Sequence, residues 1–289
     1  MTDNLIPQSA LLNPQSADDI EAIELPLLLE AMYQRYGYDF RDYAMASLKR
    51  RVILAMQQEN GIQTLSVYQD RILHDPEAMA RFLDAVTVNV TALFRDPAFY
   101  RVLRDKVMPM LRELPLIRIW YAGCASGEEV YSVAIVLHEE GLLDKARSYA
   151  TDINQHMLER GKEGIYPIKQ MKEHTANYQK AGGKATFSDY YTAKHDSVIL
   201  RSFLGKNIVW AQHNLVTDGS FNEFHLVLCR NVMIYFNRTL QDRVHRLIYD
   251  SLAVGGVLGL GQGEALHGTP YEERYEMLDR AEKLYRKVK

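Results

Sequence analysis

Cysteine is nearly absent: Cys124 and Cys229 are the only two in 289 residues. That excludes a disulfide framework, and their separation fits no metal-ligand spacing. No apolar run approaches the roughly 20 residues that a membrane-spanning helix needs, so no membrane insertion is expected. The opening MTDNLIPQSALLNPQSADD has no basic start followed by an apolar core, which argues against a secretory signal. Surplus charge is also scarce. Lys and Arg number 34 against 37 Asp and Glu, a net charge of −3, so a nucleic-acid binder working by bulk charge is not expected. The nine histidines are scattered and form no HExxH pair, so no metal site is expected. What is there is ordinary globular material, 47% hydrophobic and 25% charged. It reads as a soluble, cytoplasmic protein of one large domain or two modest ones.

The texture changes along the chain. Residues 1–24 are polar and proline-bearing at first and read as a loose leader. Residues 25–94 are helical in pattern throughout, with breaks at Gly37, at Glu59–Gly61 and at His74–Pro76, and form an all-helical domain. Residues 95–116 read as a linker helix: Asp96 suits the N-cap, Pro97 the first helical position, and Pro109 bends or splits it. From 117 to 289 apolar strands alternate with helices. The strands IRIWYA, RSYATD, NIVWAQ, FHLVLC, GVLGLG and KLYRKV imply an α/β domain with a mostly parallel sheet. A stretch rich in Tyr, Gly and Lys at about 166–206 breaks the rhythm and reads as a small β insertion.

The first strand of that domain ends at Ala122, so Gly123–Gly127 forms the floor of a site beyond the strand ends. The spacing G-x-x-x-G is neither a dinucleotide fingerprint nor a phosphate loop, and no lysine follows. Instead Glu128 and Glu129 open the next helix. Acids there repel a phosphate and suit a cationic ligand without one, although the same acids also complement a helix N-terminus. S-adenosylmethionine has a sulfonium, an ammonium and a ribose but no phosphate. Asp152, just past the second strand, is placed to accept hydrogen bonds from ribose hydroxyls. Cys124 and Cys229 sit near strand ends without a paired histidine and read as small buried fillers.

Three longer strings carry a resemblance: TVNVTALFRDPAFY (87–100), WYAGCASGEEVYSVAI (120–135) and FHLVLCRNVMIYFN (224–237), with ATDIN and HNL in order between the last two. Together they resemble the chemotaxis-receptor methyltransferases, the CheR family, over nearly the whole chain from about Leu25. The resemblance implies a Rossmann-like S-adenosylmethionine-dependent methyltransferase domain with an all-helical N-terminal domain and a small β subdomain. It implies methyl transfer to glutamate side chains on the cytoplasmic helices of chemoreceptors, giving methyl esters that tune adaptation, and S-adenosylhomocysteine as product. By motif, Asn89, Thr91 and Arg95 approach the cofactor from the linker side, Gly123, Glu128 and Asp152 from the sheet side. Asn214, Leu215, Arg230 and Asn231 line the remaining wall, and Arg95 and Tyr235 lie nearest the transferring methyl. Similar proteins often carry GHSE after a late strand where this chain reads GQGE (261–264), a departure at the pocket edge.

The chemistry agrees with the residues. A glutamate carboxylate is ionised at neutral pH, its ordinary pKa being about 4.3, so the task is positioning rather than base catalysis. Arg95 offers a forked donor to a carboxylate and Tyr235 a hydroxyl to orient it. Acidic receptor helices call for a basic face. In YAMASLKRRVILAMQQ, Met45, Leu48, Val52, Ala55 and Met56 form an apolar stripe and Arg50 and Arg51 point to solvent, where they are either a solvated charge run or a docking face. A monomer suffices. Two other readings stand beside this one. A nucleic-acid methyltransferase is disfavoured by CRNVMIYF, which lacks the Asn/Asp-Pro-Pro-aromatic motif of many amino-methylating enzymes. A non-catalytic cofactor-binding signalling module is disfavoured by intact Arg95, Asp152 and Tyr235.

Overall fold

The computed structural model describes residues 17–289. The chain divides into two compact units, one comprising residues up to Arg41 with Met45–Phe82, the other Asp42–Ala44 with Leu83–Lys289.

The first unit is helical. Its helices are α1 (Ala17–Tyr36), α2 (Met45–Gln58), α3 (Leu65–His74) and α4 (Pro76–Val86), the last of which contains the division point. Residues 17–24, read from sequence as leader, form the start of α1, and the rest of that stretch lies outside the described residues. Leu25, Leu28, Leu29 and Met32 recur at helical spacing along α1 and are buried. The Thr64 side chain accepts the Val67 N–H at 3.3 Å and starts α3. Tyr68 and Phe82 close the core edge to face at 6.0 Å. On α2, Leu48, Val52, Ala55 and Met56 are buried as read, but Met45 at the helix start is exposed.

The second unit begins earlier than the 94/95 boundary read from sequence. The segment read as a linker, 95–116, is part of its core: Phe99, Tyr100, Leu103, Val107, Met108 and Leu111 are all buried in one cluster with the sheet. Pro109 does split the helix. α5 (Pro97–Val102) passes through a π turn (Leu103–Val107) into α6 (Met108–Arg112). A proline has no N–H to offer the preceding turn, and the wider turn absorbs the mismatch.

The remaining elements are β1 (Ile117–Ala122), α7 (Glu128–Glu139), β2 (Ala146–Asp152), α8 (Gln155–Glu163), β3 (Ile165–Pro167), α9 (Met171–Lys180), β4 (Tyr191–Lys194), β5 (Ser197–Leu200), α10 (Ser202–Gly205), β6 (Ile208–Gln212), β7 (Phe224–Cys229), α11 (Arg238–Ser251), β8 (Leu252–Leu260), β9 (Tyr275–Asp279) and β10 (Leu284–Lys287). Seven strands form one sheet in the order β6-β2-β1-β7-β8-β10-β9. It is parallel from β6 to β8, and β10 runs antiparallel to both its neighbours. β1 and β7 are buried at all but one position each, as expected of strands covered on both faces. β1 lies between β2 and β7, so strand order reverses there and a crevice opens beyond its C-terminal end.

The insertion carries the expected small sheet, antiparallel in the order β3-β5-β4. It also holds α9, which the polar sequence MKEHTANYQK did not announce. The Glu139 carboxylate at the end of α7 moors it, accepting from the hydroxyls of Tyr178 and Tyr190 and from the Lys184 N–H and pairing with Arg104. Burial alone would raise the Glu139 pKa, but these donors and the Arg104 charge hold it below the usual range.

Candidate active site

The crevice at the end of β1 is an open cleft with an empty volume of about 470 Å³. Val88, Val90, Thr91, Ala92 and Arg95 supply one wall. Gly123, Cys124 and Ala125 supply the floor, Glu129 the start of α7, and Arg230 with Asn231 the opposite wall after β7. Of the residues expected from sequence, Thr91, Arg95, Gly123, Arg230 and Asn231 therefore meet in one place.

The segment carrying Thr91 and Arg95 is fixed by what lies between them. Phe94 is buried against Tyr100, Tyr178 and Phe187. Its N–H donates to Ser132 Oγ at 2.8 Å, and that hydroxyl in turn donates to the Glu128 carbonyl at 2.6 Å. Arg95 uses Nη1 on the Val90 carbonyl at 3.1 Å.

The floor follows from its glycines. Gly123 and Gly127 both have positive φ, +78° and +86°. A Cβ on Gly123 would meet Val232 Cγ2 at 2.6 Å, and one on Gly127 would meet Trp210 Cη2 at 2.5 Å. Gly127→Ala therefore combines backbone strain with a clash against an indole, and a loss of about 1–3 kcal/mol of stability is expected. Urea unfolding followed by tryptophan fluorescence measures it, and an unchanged midpoint would refute the clash.

Beside the floor, Asp152 ends β2 with its carboxylate buried. One oxygen accepts the Ala125 N–H at 2.8 Å and the other the Asn154 N–H at 2.9 Å. Burial raises its pKa against the lowering effect of these bonds. Asp152 thus holds the turn at Ala125, whose φ of +46° is unusual for a residue with a Cβ. Asn214 and Leu215 follow β6, which pairs with β2 so that Gln212 lies beside Asp152. Asn214 folds its own turn, accepting from the Val216 N–H and donating its N–H to Asp218.

The two acids opening α7 part company. Glu128 is buried, with both carboxylate oxygens accepting from Ser126 Oγ at 3.1 and 2.8 Å, and burial raises its pKa. Glu129 lines the cleft instead. Successive helical residues are turned about 100° apart, so the two carboxylates meet different surroundings. Glu128, the acid expected from sequence at the cofactor, thus lies behind the floor beside Ser126, and Glu129 lies on the lining.

Glu129 is joined to a buried ionic group. Arg230 pairs with Glu129 Oε1 at 2.6 Å and Asp96 Oδ2 at 3.0 Å, and its guanidinium carbon lies 3.9 Å from the Phe99 ring centroid. Asp96 is at the N-cap position of α5 as expected, but with φ +56° and no side-chain cap bond; its carboxylate serves Arg230.

Other expected site residues lie off the cleft lining. Asn89 Nδ2 turns back to Thr87 Oγ1 at 3.1 Å. Tyr235 is half-buried on the short turn Met233–Tyr235, its carbonyl accepting the Ala44 N–H at 2.8 Å. Cys124 and Cys229 are buried and burial pushes both thiols up, which fits packing and opposes a thiolate nucleophile. The GQGE departure falls on exposed Gln262 and Gly263, while Glu264 is buried beside the Asn231 turn.

The fit to S-adenosylmethionine rests on the acids and the turn. Glu129 lines the cleft, Asp152 lies beside its floor with its carboxylate on the Ala125 N–H, Gly123 leaves backbone accessible, and no lysine is among the lining residues. Among the described residues no cluster of side chains suited to a metal ion occurs, and no helix is long and apolar enough to cross a membrane.

Comparison with known proteins agrees. Residues 89–281 match the family model described as CheR methyltransferase, SAM binding domain, and residues 23–87 match CheR methyltransferase, all-alpha domain. A Pseudomonas putida protein bearing the name methyltransferase Cher3 is 47% identical, with 92% of this chain and 97% of that protein covered. Chemotaxis protein methyltransferase of Listeria innocua is 30% identical over 80% of this chain and 85% of its own length. Chemotaxis protein methyltransferase 1 of Vibrio cholerae is 32% identical over 68% and 71%. With a helical unit and a parallel-sheet unit that the two family matches cover almost end to end, the chain belongs to the CheR methyltransferase family, and its cofactor is S-adenosylmethionine.

Proposed function

We propose that this chain transfers a methyl group from S-adenosylmethionine to glutamate side chains on the cytoplasmic helices of chemoreceptors, forming methyl esters. The observation that carries the reading is the presence of both Arg95 and Glu129 on one cleft lining, a cation for an incoming carboxylate beside an acid for a cationic cofactor. The chemotaxis names of the Listeria and Vibrio relatives support the receptor as substrate.

When bound, S-adenosylmethionine supplies a methyl group made electrophilic by its sulfonium. The residues have the tasks of binding and alignment. Asp152 keeps acceptor capacity for ribose hydroxyls after taking two backbone N–H groups. Glu129 faces the cationic end, with Thr91, Gly123 and Asn231 around it. Asn214 and Leu215 border the base, and Asn89 supports the segment that carries Thr91. Arg230 acts by fixing Glu129. Arg95 holds the incoming carboxylate, and Tyr235 orients its second oxygen. The nucleophile is already ionised, so no general base is required. Alignment alone supplies several kcal/mol, about 7–11 in favourable intramolecular cases.

On this reading the chain works in the cytoplasm as a monomer, and Arg50 on α2 contributes to receptor docking. Arg50 is exposed; Arg51 is half-buried, with Nε on the Ser47 carbonyl at 3.3 Å. The test is transfer of labelled methyl to a receptor fragment as an alkali-labile ester. Reversing both charges, with Arg50→Glu and Arg51→Glu, is expected to raise the KM for receptor roughly tenfold at low salt. S-adenosylhomocysteine affinity stays as in wild type. Loss of both properties, or of neither, rules out the docking role. Alkali-stable transfer to nucleic acid would replace the receptor reading altogether.

A further inference from the structure

Glu264 is a buried carboxylate with no cation paired to it among the described residues. It is nonetheless fully engaged. Its Oε2 accepts the N–H groups of Gly261 at 2.7 Å and Asn231 at 3.0 Å; its Oε1 accepts those of Val232 at 2.8 Å and Met233 at 2.7 Å. Three of these donors are consecutive. They converge because Asn231 is left-handed, φ +62°, and Val232 right-handed, φ −110°, an alternation that turns successive N–H groups into an anion-binding concavity. In this chain the anion is its own side chain.

The segment so held touches both sides of the site. Asn231 lines the cleft, and Val232 packs so closely on Gly123 that a Cβ there would come within 2.6 Å of Val232 Cγ2. Two residues beyond Met233 is Tyr235. Left-handed asparagine and a tight turn cost energy unless the surroundings over-determine them, and the carboxylate does so by drawing in the N–H groups that would otherwise be unpaired. Gly261 is required for the same reason: a Cβ there would lie 2.7 Å from Asn231 N and 2.8 Å from Glu264 Oε2.

We propose that Glu264 is a positioning residue for methyl transfer, its carboxylate setting the Asn231–Tyr235 segment against the cofactor turn in the shape that the reaction needs. It rests on the proposed function for its acceptor, and touches neither substrate nor cofactor. The test uses the full chain with a receptor fragment, measuring kcat, the KM for the fragment, and S-adenosylhomocysteine affinity by calorimetry. Glu264→Gln keeps the shape but turns a donor amide toward N–H groups. A fall in kcat on the order of 100-fold is expected from displaced groups, with the KM for the fragment held. Gly261→Ala retains the carboxylate, disturbs the same contacts and is expected to give the same kcat defect; it carries the test alone should Glu264→Gln not fold. Gly263→Ala, whose Cβ would come no nearer than 3.4 Å to Ile234, leaves kcat unchanged. Folded variants that lose thermal stability but keep wild-type kcat overturn the inference and leave the proposed function standing. A wild type inactive on receptor fragments overturns both.

Discussion

Arg230→Met is expected to cost about 3 kcal/mol of folding stability, the low end of the usual range for breaking a buried ion pair. The guanidinium is almost wholly buried, with a side-chain exposure of 3%. Burial alone would favour the neutral form, but Glu129, assisted by Asp96, outweighs it and raises the pKa, so the group is charged. Removing it strands two carboxylates, and methionine replaces the contact with Phe99 at best by dispersion. The side chains of Glu129 and Asp96 are 18% and 28% exposed, so water can reach them, which places the loss at the low end. Denaturant unfolding measures it. The same protein carrying Asp96→Asn and Glu129→Gln as well recovers part of the loss, because no uncompensated charge is left. A triple variant no more stable than Arg230→Met would show that packing, not charge, is what Arg230 contributes.

Arg230 reads from sequence as part of the cofactor wall, while its ionic partners emerge only in the fold, and the same division runs through the molecule. β1 and β7 were readable to the residue because IRIWYA and FHLVLC are apolar but for one residue each, Arg118 and His225, and have flanking breaks. β9 was not, since YEMLD is a partly exposed edge strand whose apolar residues are diluted by acids. α8 and α9 escaped for a related reason. Each buries few apolar side chains, Met157 and Leu158 in one and Met171 and Tyr178 in the other, within otherwise polar stretches. Among site residues the motif gave the neighbourhood, and the fold supplies the surroundings of each side chain. Glu128 and Glu129 are adjacent letters with different surroundings, one buried beside Ser126 and the other on the cleft lining, which only the helix start relative to β1 sets. Asp96 followed the N-cap rule in position and broke it in use, because a buried arginine 134 residues away competes for its carboxylate. Glu264 carried the one visible signal, the final acid of GQGE, but its four backbone donors come from two segments that meet only in the fold.

Asp152→Ala is expected to weaken S-adenosylhomocysteine binding about 100-fold or more, on the proposed ribose contact. Each hydrogen bond to a charged group is worth about 1.5–3 kcal/mol, and two ribose hydroxyls lose their acceptor together. The same substitution frees the Ala125 N–H, so the floor of the cleft loses its tether as well. Asp152→Asn separates the two effects. An amide oxygen can still take the Ala125 N–H, but the amide nitrogen cannot accept from a hydroxyl or from the Asn154 N–H. Intermediate weakening is therefore expected. The pH dependence has a definite sign. Burial raises the folded Asp152 pKa above its usual value, so on acidification the carboxylate is protonated earlier than an ordinary aspartate. Cofactor affinity is therefore full above the raised pKa and declines as pH falls through it. Calorimetry across that range, beside Asp152→Asn, tests the assignment. In the asparagine variant the acid-side decline disappears. If it persists unchanged, another group titrates and Asp152 is a structural tether for Ala125 alone.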